Sequence, residues 1–393
     1  MKERRPLYRS SLFPAALALA LAAAAVFAAC ENPWIKRIAG DGDEKAAVPA
    51  VSPPAVTPPS VLTSAGDIEA WIASAVGKDP LAGNDAGHAI ALPLAIDLSG
   101  SGWAEILQAV ADADKYVELD LSLCGMGGVT PSEEFDPDNT TATGKDMIVS
   151  LVLPDAATST KSGFHWEDRA FQNFTSLTSV SGGGIITVGR NTFRNTPLTK
   201  VSFPEATFID GLAFYDCHSL TTVDLPKAAY IGQSVFQSCT SLVTVDLPSA
   251  TSVDAQAFAG CTSLITANLP EVTSMGQRIF GTCIALETVN LSKVSSFVGD
   301  TFNNTGGQAL TITLGAVPPV VTGTVFINVA VSKAVTVRVP VDASGYGIIP
   351  GTYSGADTSP NWGNAFRGLG WDGTSYGSSV NSYITLTIEE YTP

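Results

Sequence analysis

Histidine is almost missing from this sequence. His88, His165 and His218 are the only three in 393 residues, and none falls in a recurring position. A catalytic thiol needs a base beside it, so the shortage leaves little for a cysteine–histidine nucleophile. Charge is scarce as well: 15 % of residues are Asp, Glu, Lys or Arg, and the net charge is −16. An acidic surface repels phosphate backbones, which argues against nucleic acid as a partner. Beyond the N-terminus no apolar run reaches the roughly 18 residues that cross a bilayer. Pro318, Pro319 and Gly323 interrupt the apolar stretch around Val317–Val331. Nor is there a G-x-S-x-G, an H-E-x-x-H or a phosphate loop, and no pair of carboxylates stands out as a hydrolase pair. These absences point away from an enzyme. No cofactor and no metal is expected.

Small turn formers are abundant, with 36 Gly and 24 Pro. Low charge with many turn formers predicts many short strands in place of helical bundles. The N-terminus reads differently. "MKERRPLYRS" is basic, "SLFPAALALALAAAAVFAA" is apolar, and Cys30 follows. That order makes residues 1–29 a secretory signal peptide. The stretch "FAAC" resembles the lipobox of bacterial lipoproteins, with Phe27 where Leu is usual. The resemblance implies cleavage before Cys30 and lipidation of Cys30. The mature chain then carries 17 basic and 36 acidic groups. It would be exported and held on a membrane, outer membrane or cell surface, by lipid alone. Residues 30–62 include "AAVPAVSPPAVTPPSV", a Pro-rich tether that favours extended polyproline structure. Its "DGDE", Asp41–Glu44, lacks the later ligands of a calcium loop and reads as a solvated spacer.

Residues 63–115 are expected to form an α/β cap. "SAGDIEAWIASAV" sets Ile68, Trp71, Ile72, Ala75 and Val76 on one helical face, with Ser64 and Asp67 as a capping box and Gly77 as the stop. "SGWAEILQAVADA" does the same with Trp103, Ile106, Leu107 and Val110. Between them "HAIALPLAIDLS" alternates like a strand. Next come Tyr116, Leu119, Leu121 and Cys124, which fit L-x-x-L-x-L-x-x-C, followed by Ile148, Leu151 and Leu153.

From Phe171 the register becomes strict. Phenylalanines stand at 171, 193, 214, 236, 258, 280 and 302, at steps of 22, 21, 22, 22, 22 and 22. A leucine follows six places later at Leu177, Leu220, Leu242, Leu264 and Leu286; Leu198 is five places on, because its unit is one residue short. So short a period fits one strand and a return per unit, stacked as a solenoid. The motif F-x-x-C-x-x-L-x-x-V-x-L-P resembles the BspA-like, treponemal-type leucine-rich repeats of bacterial surface proteins. That resemblance implies a curved repeat solenoid and, in several members, adhesion to host or bacterial surface proteins. The expected fold is therefore a β-rich solenoid over 116–340, strict at 171–302, between the α/β cap and a β-rich C-terminal cap at 341–393.

Cys217, Cys239, Cys261 and Cys283 recur every 22 residues. A solenoid places them in a column, whereas zinc needs ligands converging on one point. Phe174, Thr196 and Thr305 stand at or near the same position in other units, so sulfur is optional. The reading is packing at a tight inward turn, with disulfides between adjacent cysteines left open. Outward strand positions form two further columns: Thr222, Thr244, Thr266 and Thr288, and Asp224, Asp246, Asn268 and Asn290, continued by Ser202 and Ser181. Outward strand positions simply favour such residues, but they are also the candidate binding face. Expected partners are extracellular or surface proteins, or glycans. An alternative is a carbohydrate-binding module built on Tyr346, Tyr353, Trp362, Phe366, Trp371 and Tyr376, which otherwise serve as a cap. The acidic insertion 131–146, with Glu133, Glu134, Asp136 and Asp138, reads as a solvated loop, with calcium as the other option.

Overall fold

A computed structural model describes residues 61–76, 85–127, 134–137, 141–160, 170–171, 173–305, 309–317, 319–322, 334–340, 351–353 and 385–391. All of them lie in one compact unit, Pro59–Pro393. The signal segment, Cys30, most of the tether, Gly77, His165, Glu133, Asp138 and the side chains of the C-terminal aromatics lie outside the described residues.

The protein is a parallel β-solenoid. Its front sheet runs through Ile90–Pro93, Val117–Asp120, Ile148–Val152, Ser179–Ser181, Lys200–Ser202 and Thr222–Asp224. A second ladder continues through Thr244–Asp246, Thr266–Asn268, Thr288–Leu291, Ala309–Leu314, Ala334–Pro340 and Thr385–Tyr391, with Gly351–Tyr353 antiparallel on the last strand. Shorter strands form the back, among them Phe208–Ile209, Tyr230–Ile231, Ser252–Val253 and Ser274–Met275. Strands this short are weak alone, and each coil buries its inner side only by stacking on its neighbours.

Helix α1, Gly66–Val76, and helix α2, Gly102–Ala113, flank the first front strand. The Ser64 hydroxyl accepts from the Gly66 amide at 3.1 Å, which satisfies one of the free amides at the start of α1. Ile68, Ile72, Trp103, Ile106, Leu107 and Val110 are buried. Trp71 is half-buried and donates to the Ala91 carbonyl at 3.0 Å. Leu119, Leu121 and Cys124 face inward as their spacing predicts, but Tyr116 is only half-buried, and Val117 opens the inward set. The strand starts at Val117, so period-2 alternation puts 117, 119 and 121 on one face and turns 116 away.

The third side of each coil carries the phenylalanines. Phe171, Phe193, Phe214, Phe236, Phe258, Phe280 and Phe302 are fully buried and stacked, with centroids 4.5–5.8 Å apart. Around each ring from Phe193 to Phe302 the backbone turns through two left-handed residues four apart, such as Leu212 and Asp216, Ser234 and Ser238, and Arg278 and Thr282. Left-handed backbone costs about 1–2 kcal/mol at a non-glycine residue. The corner offsets this with hydrogen bonds between coils: the amides of 234, 236 and 238 donate to the carbonyls of 255, 257 and 259 at 2.8–3.0 Å. Glycine is needed where coils press closest. A Cβ on Gly276 would lie 2.2 Å from the Ala255 nitrogen.

Candidate binding face

The front strands at the strict repeats are three residues long, four at Thr288–Leu291, so each presents two outward side chains around one inward one. The structure brings the expected columns together in register. Thr244 pairs with Thr266 and Thr266 with Thr288; Asp246 pairs with Asn268 and Asn268 with Asn290. Thr222, Asp224, Thr244, Asp246 and Thr288 are exposed, and Thr266, Asn268 and Asn290 are half-buried. Lys200 and Thr311 extend the threonine column, and Ser202 and Thr313 extend the other.

The second column is a hydrogen-bonded chain. Asn290 donates to Asn268 at 2.8 Å, and Asn268 donates to Asp246 at 2.8 Å. At the other end the Ser202 hydroxyl donates to Asp224 at 2.6 Å. The chain breaks between Asp224 and Asp246, which occupy the same position on adjacent coils. The backbone ladder is interrupted there too: Thr222–Asp224 ends one sheet and Thr244–Asp246 begins the next. Val223, between the two strand ends, is half-buried, while Val201, Val245 and Val289 in its column are fully buried. Like charges directly opposite across strands repel, and in this column Asp lies over Asp only here. Beside the threonines, Val243 and Ile265 are exposed and add an apolar strip to the face.

On the back, the Phe208 and Tyr230 rings stack at 4.6 Å. Tyr230 donates to Asp254 at 2.6 Å, and that bond, with burial and the nearby carboxylates, pushes its phenol up to about 12.

The ladder cysteines lie away from this face. Cys217, Cys239, Cys261 and Cys283 are buried, free thiols. Each also does something that spacing did not show: its Sγ donates to the carbonyl of a phenylalanine one coil back, at 3.0–3.2 Å, as Cys261 does to Phe236. Thr305 replaces sulfur with oxygen and donates to the Phe280 carbonyl at 2.6 Å; Thr196 donates to the Phe193 carbonyl of its own coil at 2.7 Å. From Thr196 onward the position is filled by a small donor, which Cys and Thr both supply, while Phe174 fills it in the first strict coil without one. The signal was present in the threonines that stand in for cysteine. Burial pushes Cys217 up to about 11 and Cys261 up to about 12, and Cys239 and Cys283 well above the usual range. Such thiols stay protonated and make poor nucleophiles. Among the described residues no three His, Cys, Asp or Glu side chains come together as metal ligands. Glu134 and Asp136 of the acidic insertion are described, and Trp103 donates to the Pro137 carbonyl beside them at 3.1 Å. No helix among the described residues is long and apolar enough to cross a membrane.

Parallel strands, an inward leucine and phenylalanine in each strict coil and a step of 22 residues, once 21, define a leucine-rich-repeat solenoid. The family model of the BspA type leucine rich repeat region matches residues 165–230 and 186–311, in six copies, and this span belongs to that family. Two solved structures are similar. A leucine rich cell surface protein from Faecalibacterium prausnitzii shares 23 % identity over 51 % of this chain and 62 % of its own, with a TM-score of 0.36. A leucine-rich repeat protein from Bacteroides ovatus shares 29 % identity over 46 % of this chain and 41 % of its own, with a TM-score of 0.32. The chain thus spans less than two thirds of either. No curated protein matches it.

Proposed function

We propose that this is an exported, lipid-anchored bacterial surface protein that binds other macromolecules as an adhesin, using the front sheet. The observation that carries the reading is the in-register array of exposed and half-buried Thr, Asp and Asn side chains beside the exposed Val243 and Ile265. A repeated polar face with an apolar strip suits an extended protein partner: hydrogen bonds give register and the strip gives burial. The acidic chain favours a basic or hydrogen-bonding partner surface. Cys30, after Ala28 and Ala29, is the proposed acylation site.

Two measurements test this. A fatty-acid probe is expected to label the wild type and not Cys30→Ala; equal labelling of both removes the anchor. Asp224→Lys together with Asp246→Lys reverses the charge at the centre of the face. A partner docking there electrostatically should associate about tenfold more slowly, with wild-type affinity falling as salt rises. Unchanged association by the double variant rules out the front sheet as the site.

A further inference from the structure

The strict ladder has one short coil. Between Phe193 and Phe214 the step is 21 residues, and the missing residue falls between Phe193 and Leu198. At this corner a regular coil places two residues between its Cys and its Leu, such as His218 and Ser219 between Cys217 and Leu220. The short coil has Pro197 alone between Thr196 and Leu198. One coil further on the corners close on one another: the Ser241 amide and the Thr240 hydroxyl both reach the His218 carbonyl one coil back, at 3.2 and 3.3 Å. Over the short coil the corner recedes and leaves a notch of about 380 Å³, floored by Thr196 and Pro197 and walled by Thr175 on one side and Asp216, His218 and Ser219 on the other. Asn195 also lines it.

We propose that this notch binds one neutral sugar ring, a hexopyranose at the end of a glycan. The volume lies in the range of small-molecule sites and exceeds what a single side chain needs. Its available polar groups are the Thr175 and Ser219 hydroxyls, the Asn195 amide, the His218 imidazole and the Asp216 carboxylate, the Thr196 hydroxyl being taken by the Phe193 carbonyl: donors and acceptors of the kind that pair with ring hydroxyls, around a proline ring that can meet a C–H face. An anion is disfavoured by Asp216 and by the acidic chain. A lone cation would engage Asp216 and leave the other four groups unused. An apolar ligand would leave all five unpaired, which is costly. The site is also held in place before any ligand arrives. Asn195 and Asp216 sit at left-handed corner residues, and their amides donate to the Tyr215 and Gln237 carbonyls at 2.8 and 2.9 Å. The His218 ring is fixed by Nδ1 on the Ser238 carbonyl at 2.9 Å. With the proton on Nδ1, Nε2 is left as an acceptor.

The test uses the full-length protein and ligand-observed NMR. The probes are methyl glycosides of glucose, galactose, mannose and N-acetylglucosamine, the same sugars free, and N-acetyl-lysine methylamide as a cationic control. At least one methyl glycoside is expected to bind in the millimolar range, as a dozen heavy atoms allow, and no more weakly than its free sugar. One variant inserts a serine between Pro197 and Leu198, which restores the 22-residue coil and fills the notch; binding should vanish while the melting temperature holds. Should the insertion not fold, Asp216→Asn serves, because Asn tolerates left-handed backbone. It should weaken binding about tenfold through loss of a charged acceptor. Four results each overturn the proposal: no sugar binds, only the free sugars bind, the lysine analogue binds in their place, or the folded insertion and Asp216→Asn variants bind as wild type.

Discussion

The phenylalanine column and the aspartate column are made by the same 22-residue step, one facing in and the other facing out. Inside, repetition helps: each Phe236-type ring lies nearly parallel between two copies of itself, 5.4 and 5.6 Å away, and every copy adds the same favourable contact. Outside, repetition depends on what is repeated. Asn over Asn continues a hydrogen-bond chain, because an amide both donates and accepts. Asp over Asp cannot, and there the ladder opens. A solenoid thus turns each residue choice into an interaction of that residue with itself, and only some residues tolerate it.

The largest effect should come from breaking the inner column. Phe236→Ala removes a fully buried ring from the middle of the stack and is expected to cost about 3–5 kcal/mol. The urea midpoint measures it, and a loss below 1 kcal/mol would mean that the stack collapses around the gap.

Next come the thiols. Cys261→Ala should cost about 1–2 kcal/mol, from a small cavity and an unmet Phe236 carbonyl. Cys261→Thr should recover about half of that by restoring a donor; if Thr is no better than Ala, the bond contributes nothing. Alkali tests the same groups. The folded thiols titrate at about 11 and 12 for Cys217 and Cys261, against 9.0 when exposed. Below pH 9 both states keep the protons, so stability is flat. Between pH 9 and about 12 the unfolded chain releases protons that the folded chain retains, so stability falls as pH rises. Cys261→Thr should flatten that fall.

The smallest change concerns the outer column and has the opposite sign. Asp246→Asn should let residue 246 donate to Asp224 while still accepting from Asn268, joining the two halves of the chain. A gain of about 0.5–1 kcal/mol is expected. The paired lysines at 224 and 246 keep a like-charge pair and should leave stability within about 0.5 kcal/mol of wild type. If Asp246→Asn is no more stable than that pair, repulsion is not the cause of the fault.

Much of this was legible in the sequence, because a solenoid's coil is a one-dimensional pattern. Spacing alone placed Phe236, Leu242, Val245 and Leu247 inward and Thr244 and Asp246 outward, since stacking units of equal length must superimpose equal positions. It also marked the short coil at Leu198 without saying what the shortage makes. Tertiary structure decided whatever depends on how closely one coil approaches the next. The thiol bonds to phenylalanine carbonyls, the left-handed corners at residues as unsuited as Leu212 and Thr282, the fault at Asp224 and Asp246 and the notch over Pro197 all arise between coils. Spacing says which residues share a column; backbone geometry and charge across a coil's width decide whether they bond, part or leave room.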